Sequence, residues 1–195
     1  MQESHSFDCG SFFIEFTGKG VIMLNEQNQK KSRTQRLVLS GVIGGIYAAL
    51  TLMVYPLSYG PIQVRISEAL TVLPLFFGEA VIGLSVGCLV ANFFGNGVLD
   101  VVFGTLATLI AGVLTMASGR IKDARVRVVV GIIPPIVVNA LIVPLTFLAL
   151  TELKEAYLIN VLTVGAGQAV VLTVLGIPLA VAMQKNKFLS SLSQK

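Results

Sequence analysis

Apolar residues dominate the chain from residue 37 to residue 183, and short polar breaks divide it into six stretches: 37–55, 67–77, 80–94, 99–117, 128–150 and 157–183. Runs of this kind predict helices, because a segment in lipid must satisfy its own backbone polar groups, and a helix crosses the hydrocarbon in about 20 residues. The second and third stretches fall short of that length. They are expected to tilt, to extend into polar flanks, or to pack inside the bundle where irregular backbone is tolerated. Pro74 and the turn at Phe77, Gly78 and Glu79 suit that arrangement. Fusing 67–94 into one long segment would give five spans instead.

Composition sets the class. With 195 residues, 54% of them hydrophobic and only 12% charged, and a mean hydropathy of +0.84, there is too little charge to coat a soluble globule. The expected fold is an all-α integral membrane bundle of six transmembrane helices occupying 37–184.

Charge placement then selects the topology. Of the Lys and Arg residues after Met23, one cluster (Lys30, Lys31, Arg33, Arg36) precedes the first span. A second (Arg120, Lys122, Arg125, Arg127) lies between spans four and five, and Lys185, Lys187 and Lys195 follow the sixth. Six spans with an internal N-terminus put all three clusters on the cytoplasmic side and leave only Arg65 and Lys154 outside, as the positive-inside rule requires. Five spans would place the 118–127 loop and the C-terminus on opposite faces. The expectation is therefore a multi-pass protein of the cell membrane, N-in and C-in.

Residues 1–22 differ in composition from the rest and lack both a basic n-region and an unbroken apolar h-region, so they do not read as a signal peptide. They are expected to be either a start assigned too early, with the chain proper beginning at Met23, or a disordered extension. Residues 23–36 read as a basic cytoplasmic segment and 185–195 as a cytoplasmic tail. The single His5 and one cysteine, Cys9, fall in the first stretch, leaving Cys88 as the sole thiol of the body. An intramolecular disulfide and histidine-based metal chemistry are thereby excluded from it. No phosphate loop or H-E-x-x-H motif is present. Gly165-Ala-Gly167 lacks the third glycine and the strand of a dinucleotide site. No enzyme activity, no resident cofactor, no metal and no nucleic-acid partner is expected.

The topology sorts the polar residues toward the outer half. Arg65 and Glu68 lie at the outer end of span two, Asn92, Asn96 and Asp100 around the turn joining spans three and four, and Asn160 at the outer start of span six. At 1.5 Å per residue, Asn139 and Gln168 reach mid-bilayer. Polar side chains inside a membrane are costly unless paired and face the bundle interior or a cavity, so a pocket open to the outside would satisfy them. Each also has a plain structural reading. Arg65 and Glu68 are spaced for a local ion pair. Asn92, Asn96 and Asp100, with Gly95 and Gly97, suit a turn and helix cap. Asn139 and Gln168 suit interhelical hydrogen bonding, and Tyr59 an interfacial aromatic. In span one, Gly41, Gly45 and Ala49, beside Gly44 and Ala48, form adjacent small-residue stripes that either pack within the bundle or dock a separate membrane subunit.

The strings GGIYAALT (44–51), SYGPIQVRISEAL (58–70), LP (73–74), GLSVGC (83–88) and N-x-x-x-N-G-x-x-D-x-x-x-G (92–104) resemble the QueT family, with the 58–70 string the most specific. These are the substrate-binding S-components of energy-coupling factor (ECF) transporters, assigned to a queuosine precursor. The resemblance, over about 36–185, implies a six-helix S-component that works with a transmembrane scaffold subunit and two ATPase subunits, which use the ATP. It also implies docking on the scaffold through the span-one stripe, and toppling of the loaded subunit to carry its site inward. S-components for other heterocyclic vitamins share the architecture, and a stand-alone secondary transporter is the other alternative.

The implied ligand, 7-aminomethyl-7-deazaguanine, offers adjacent N–H donors, a carbonyl, a flat ring and a cationic amine. Carboxylates suit the donors and the amine, amides the carbonyl and ring nitrogen, and aromatics the ring face. Glu68 and Asp100 are expected on ligand donors, with Asn92, Asn139 and Gln168 orienting the ring. Gln63, Asn96, Asn160 and Arg65 are further polar candidates, and Tyr59, Phe93 or Phe94 are stacking candidates.

Overall fold

A computed structural model of the protein describes residues 8–9, 12–17, 20–23, 32–58, 64–95, 97–146 and 154–186. The chain divides into two units, Met1–Lys31 and Ser32–Lys195. The first carries a small antiparallel sheet in the order β1 (Asp8–Cys9), β2 (Phe12–Thr17), β3 (Gly20–Met23). Its register pairs Cys9 with Phe12 and Glu15 with Ile22.

The second unit is helical throughout its described residues. It comprises α1 (Arg33–Met53), the short α2 (Tyr55–Ser58), a 3-10 helix (Ile66–Leu75), α3 (Glu79–Gly95), α4 (Val98–Ser118) and α5 (Ala124–Ile142). A last continuous stretch follows, made of α6 (Lys154–Val171), a π turn (Leu172–Gly176) and α7 (Ile177–Lys185). The six apolar stretches of the sequence each correspond to one of these segments, except that the fifth helix ends at Ile142 and residues 147–150 of its stretch lie outside the described residues. Four are long and apolar enough to cross a membrane: Arg33–Met53, Val98–Ser118, Ala124–Ile142 and Tyr157–Lys185. The two stretches expected to be short are the 3-10 helix and α3.

Helix ends are built by local chemistry. Ser32 caps α1 through a capping box in which its Oγ accepts from the Gln35 amide and its own amide donates to Gln35 Oε1. Asp123 Oδ1 accepts from the amides of Arg125 and Val126 at the start of α5. Gly97, at φ +90°, makes the turn into α4, a conformation that glycine adopts without a Cβ clash.

The exterior and interior are inverted relative to a water-soluble bundle. Leu37, Val98, Leu158 and Leu162 are among the large apolar side chains on the outside, whereas Thr51, Glu68, Asn92 and Gln168 are buried. Lipid solvates the former at no cost, and the latter find partners inside.

Close backbone approach joins α1 to α3. A Cβ on Gly44 would stand 2.7 Å from the Gly83 carbonyl oxygen, and one on Gly87 would stand 2.5 Å from the Gly44 carbonyl oxygen. Gly44 and Ala48 therefore turn into the bundle, while Gly41, Gly45 and Ala49 stay on its outer surface with nothing within 4 Å of either glycine's Cβ position. The two stripes lie side by side on α1, one turned into the bundle and the other exposed, so Gly44 and Ala48, grouped with the others as docking residues, are engaged within the chain.

The 3-10 helix is the hub, touching α1, α3, α4, α5 and all three parts of the last stretch. At about 2.0 Å per residue its ten residues run roughly 20 Å, too short to cross alone. Its C-terminal half is apolar. Val72 and Leu75 pack with Val128, Leu172 and Ala180, and Leu73 packs with Ile43, Phe77, Leu84 and Met183. Gly131 of α5 leaves room for Leu75, whose Cδ2 would be 2.5 Å from a Cβ there. Pro135 cannot donate to the carbonyl four residues back, that of Gly131, and Thr115 Oγ1 of α4 supplies the bond over 3.1 Å. The polar half of the 3-10 helix lies at the other end.

Candidate functional site

Four residues before that apolar half sits Glu68, only 3% exposed. A buried carboxylate is expensive unless hydrogen bonds replace its water, and here three helices supply them. Tyr47 Oη of α1 donates to Oε1 over 2.6 Å. Asn139 Nδ2 of α5 and Gln168 Nε2 of α6 donate to Oε2 over 3.3 and 3.0 Å. All three donors are neutral, and together they reach both carboxyl oxygens.

The 3-10 geometry prepares this. Residues three apart eclipse one another in such a helix, so Arg65, Glu68 and Thr71 share one side. The Glu68 amide donates to the Arg65 carbonyl over 3.0 Å, and Thr71 Oγ1 donates to the Glu68 carbonyl over 2.6 Å. Arg65 is itself buried, with Nε donating to the Ser58 carbonyl over 3.2 Å. Ser67 Oγ lies 2.6 Å from Thr51 Oγ1. Because Thr51 gives its proton to the Tyr47 carbonyl over 2.8 Å, Ser67 is the donor in that pair. Ser58 Oγ donates in turn to the Thr51 carbonyl over 3.0 Å. These bonds tie α1, α2 and the 3-10 helix together around the carboxylate.

A second polar group adjoins it through α3. Asn92 is fully buried, and its Nδ2 reaches the Asp100 carbonyl over 2.9 Å and Cys88 Sγ over 3.3 Å. Gly104 of α4 permits this, since a Cβ there would stand 2.5 Å from Asn92 Nδ2. Cys88 belongs to the same buried cluster as Tyr47, which links the two groups. The buried charges among the described residues are Glu68, Asp100 and Arg65, a set with one net negative charge when the carboxylates are ionised.

The structure thus brings Glu68, Asn139 and Gln168 into direct contact and places Asn92 beside the Asp100 backbone. Asn160 lies on α6 eight residues before Gln168, about 12 Å along the helix. Its carbonyl accepts from Thr163 Oγ1 over 3.1 Å. Tyr59, Gln63 and Asn96 lie outside the described residues. Phe93 and Phe94 are each 70% exposed and stack edge-to-face on one another at 5.4 Å, so these two rings point away from the interior and not over a ligand there. Sequence reasoning passed over Tyr47, Thr51, Ser67 and Thr71. The available signal was Tyr47 with Thr51 one turn later, two hydroxyls on one face in the middle of an apolar span, where tyrosine is unusual because it favours the membrane interface.

The family model described as QueT transporter matches residues 37–185. The chain belongs to the QueT transporter family. It is a multi-pass membrane protein, as the family and the four spanning-length helices together require. The chain is 36% identical over 83 residues to the protein called "Queuosine precursor transporter QueT" of Lactococcus lactis subsp. cremoris (strain MG1363). That match covers 42% of this chain and 49% of the relative, so the chain spans about half the length of that curated protein. No solved structure matches the chain. The family match includes every residue of the Glu68 and Asn92 clusters.

Proposed function

We propose that this QueT-family chain is the substrate-binding S-component of an ECF transporter in the cell membrane. It captures a queuosine precursor, 7-aminomethyl-7-deazaguanine, from outside, with both termini cytoplasmic and ATP consumed by two partner ATPase subunits. The observation that carries the reading is the Glu68 carboxylate, buried and held by Tyr47, Asn139 and Gln168.

A carboxylate is the group that accepts two parallel N–H donors from a guanine edge. The protein's own donors occupy those positions in this structure, so binding is an exchange. The ligand's donors take over the Glu68 oxygens, and the Asn139 and Gln168 amides, released, turn to its carbonyl and ring nitrogen. The ligand's single cationic amine suits the buried carboxylates of Glu68 and Asp100.

The docking face in this reading is the outer stripe of Gly41, Gly45 and Ala49, whose lack of bulk suits the close approach of a scaffold helix. A binding titration by calorimetry on the purified protein tests the substrate, with guanine and 7-cyano-7-deazaguanine as competitors. The expected result is tight binding that depends on the amine and weakens by about tenfold or more in Glu68→Gln, the scale of a lost charged hydrogen bond. No binding by folded protein would redirect the assignment to another heterocyclic vitamin. Uptake that persists without co-produced ATPase subunits would sink the S-component role and leave a secondary transporter.

A further inference from the structure

A concave site lies at the end of the bundle away from Glu68, where the C-terminus of the 3-10 helix meets the end of α4 and the start of α5. Pro74, Leu75, Phe76, Met116, Arg120 and Arg127 line a cavity of about 320 Å³ there. Asn139 of the Glu68 cluster is twelve residues further along α5 than Arg127, about 18 Å away along the helix.

Its lining includes two guanidinium groups and no carboxylate. The Arg127 guanidinium lies over the Phe76 ring, with Cζ 5.6 Å from the centroid, an arrangement that fixes its plane at the cavity wall. Arg127 Nε is buried and makes no hydrogen bond to the protein. A buried guanidinium donor without an acceptor is costly, and an anion is the ligand that removes the cost. The nearest acid in sequence, Asp123, has Oδ1 committed to the α5 cap. Gly119 at the wall has no room for a side chain, since a Cβ would stand 2.8 Å from the Leu75 carbonyl oxygen.

The surroundings decide which anion. The helices that frame the cavity present Leu114, Val126 and Val129 outward, each between 45% and 55% exposed. An amphiphile can therefore set a charged head in the cavity and lay its chains along α4 and α5. We propose that this cavity holds the phosphate of an anionic phospholipid, with Arg120 and Arg127 as its ligands. Basic pockets at the ends of transmembrane helices recognise such headgroups. The inference is independent of the substrate assigned to the Glu68 site.

Native mass spectrometry of the full chain in a non-ionic detergent, supplied with equal amounts of dioleoylphosphatidylglycerol and dioleoylphosphatidylcholine, provides the test. The expected result is preferential retention of the anionic lipid, reduced by about fivefold in Arg120→Gln and abolished in Arg120→Gln/Arg127→Gln, while Lys122→Gln in the same loop retains it. Equal retention of the two lipids, or a preference that survives the double substitution, would overturn the proposal. Raising the thermal midpoint equally well with inorganic phosphate would overturn the lipid assignment in favour of a free-anion site. Should the double variant lose its monodisperse state, Arg120→Gln alone decides the matter, because Arg120 is exposed and outside the packed core.

Discussion

Gln168 donates from Nε2 to Glu68 Oε2 over 3.0 Å across a sequence separation of 100 residues, and this bond joins the 3-10 helix to the last helical stretch at the centre of the bundle. The two side chains act as one unit, so their substitutions will not add. In a double-mutant cycle of Glu68→Gln and Gln168→Ala, followed by thermal unfolding in detergent, the expected coupling is about 1–2 kcal/mol. Additive effects within about 0.3 kcal/mol would mean that the bond carries no weight in the folded protein.

Tyr47 supplies the shortest of the hydrogen bonds to the Glu68 carboxylate. Tyr47→Phe keeps the ring in its packed position and removes only the hydroxyl, leaving one carboxylate oxygen short of a donor. We expect a loss of about 1–3 kcal/mol in stability and weaker ligand binding. Thermal unfolding with and without the deazapurine measures both, and an unchanged midpoint would contradict the role given to the hydroxyl.

Neighbouring glycines on α1 should behave in opposite ways. Gly44→Val drives a side chain into the Gly83 backbone and should cost about 1–3 kcal/mol or prevent folding. Gly45→Val enters open space and should leave a monodisperse, ligand-competent protein while weakening capture of the scaffold subunit. Size-exclusion chromatography and co-purification with the coupling module distinguish the two. Equal folding defects in both variants would refute the division of the stripe.

Thr115 completes the backbone of α5 where Pro135 interrupts it. Thr115→Val preserves shape and leaves the Gly131 carbonyl without that donor. An expected loss of about 1 kcal/mol, in the range for polar contacts between membrane helices, can be read from the thermal midpoint, whereas Thr115→Ser should retain most of it.

Much of this architecture was legible from the apolar pattern. The breaks at 56–66, 78–79, 95–98 and 118–127 separate the same segments that the structure builds as helices. The depth argument also put Asn139 and Gln168 at one level, and both reach Glu68. Two things were not legible. Periodicity within α1 shows that Gly41, Gly44, Gly45, Ala48 and Ala49 form stripes, but which stripe turns inward depends on the complementary Gly83 and Gly87 on α3, a fit between two surfaces. The 3-10 form of 66–75 is equally hidden, because nothing local to ISEALTVLPL excludes an ordinary α-helix until Pro74. That form is imposed by the neighbours packed around it.

In the proposed role, the hydrogen bonds already held by Glu68 determine what the protein can refuse. Since the carboxylate already has three protein donors, a ligand in the proposed role gains only by offering a complete replacement. An analogue that displaces Gln168 and Asn139 without returning an equivalent N–H leaves a buried charge worse off than before, and sites of this type discriminate against such analogues by orders of magnitude. In the proposed role, selectivity follows from the penalty of partial exchange, and a close chemical mimic lacking one donor would be turned away without any steric barrier.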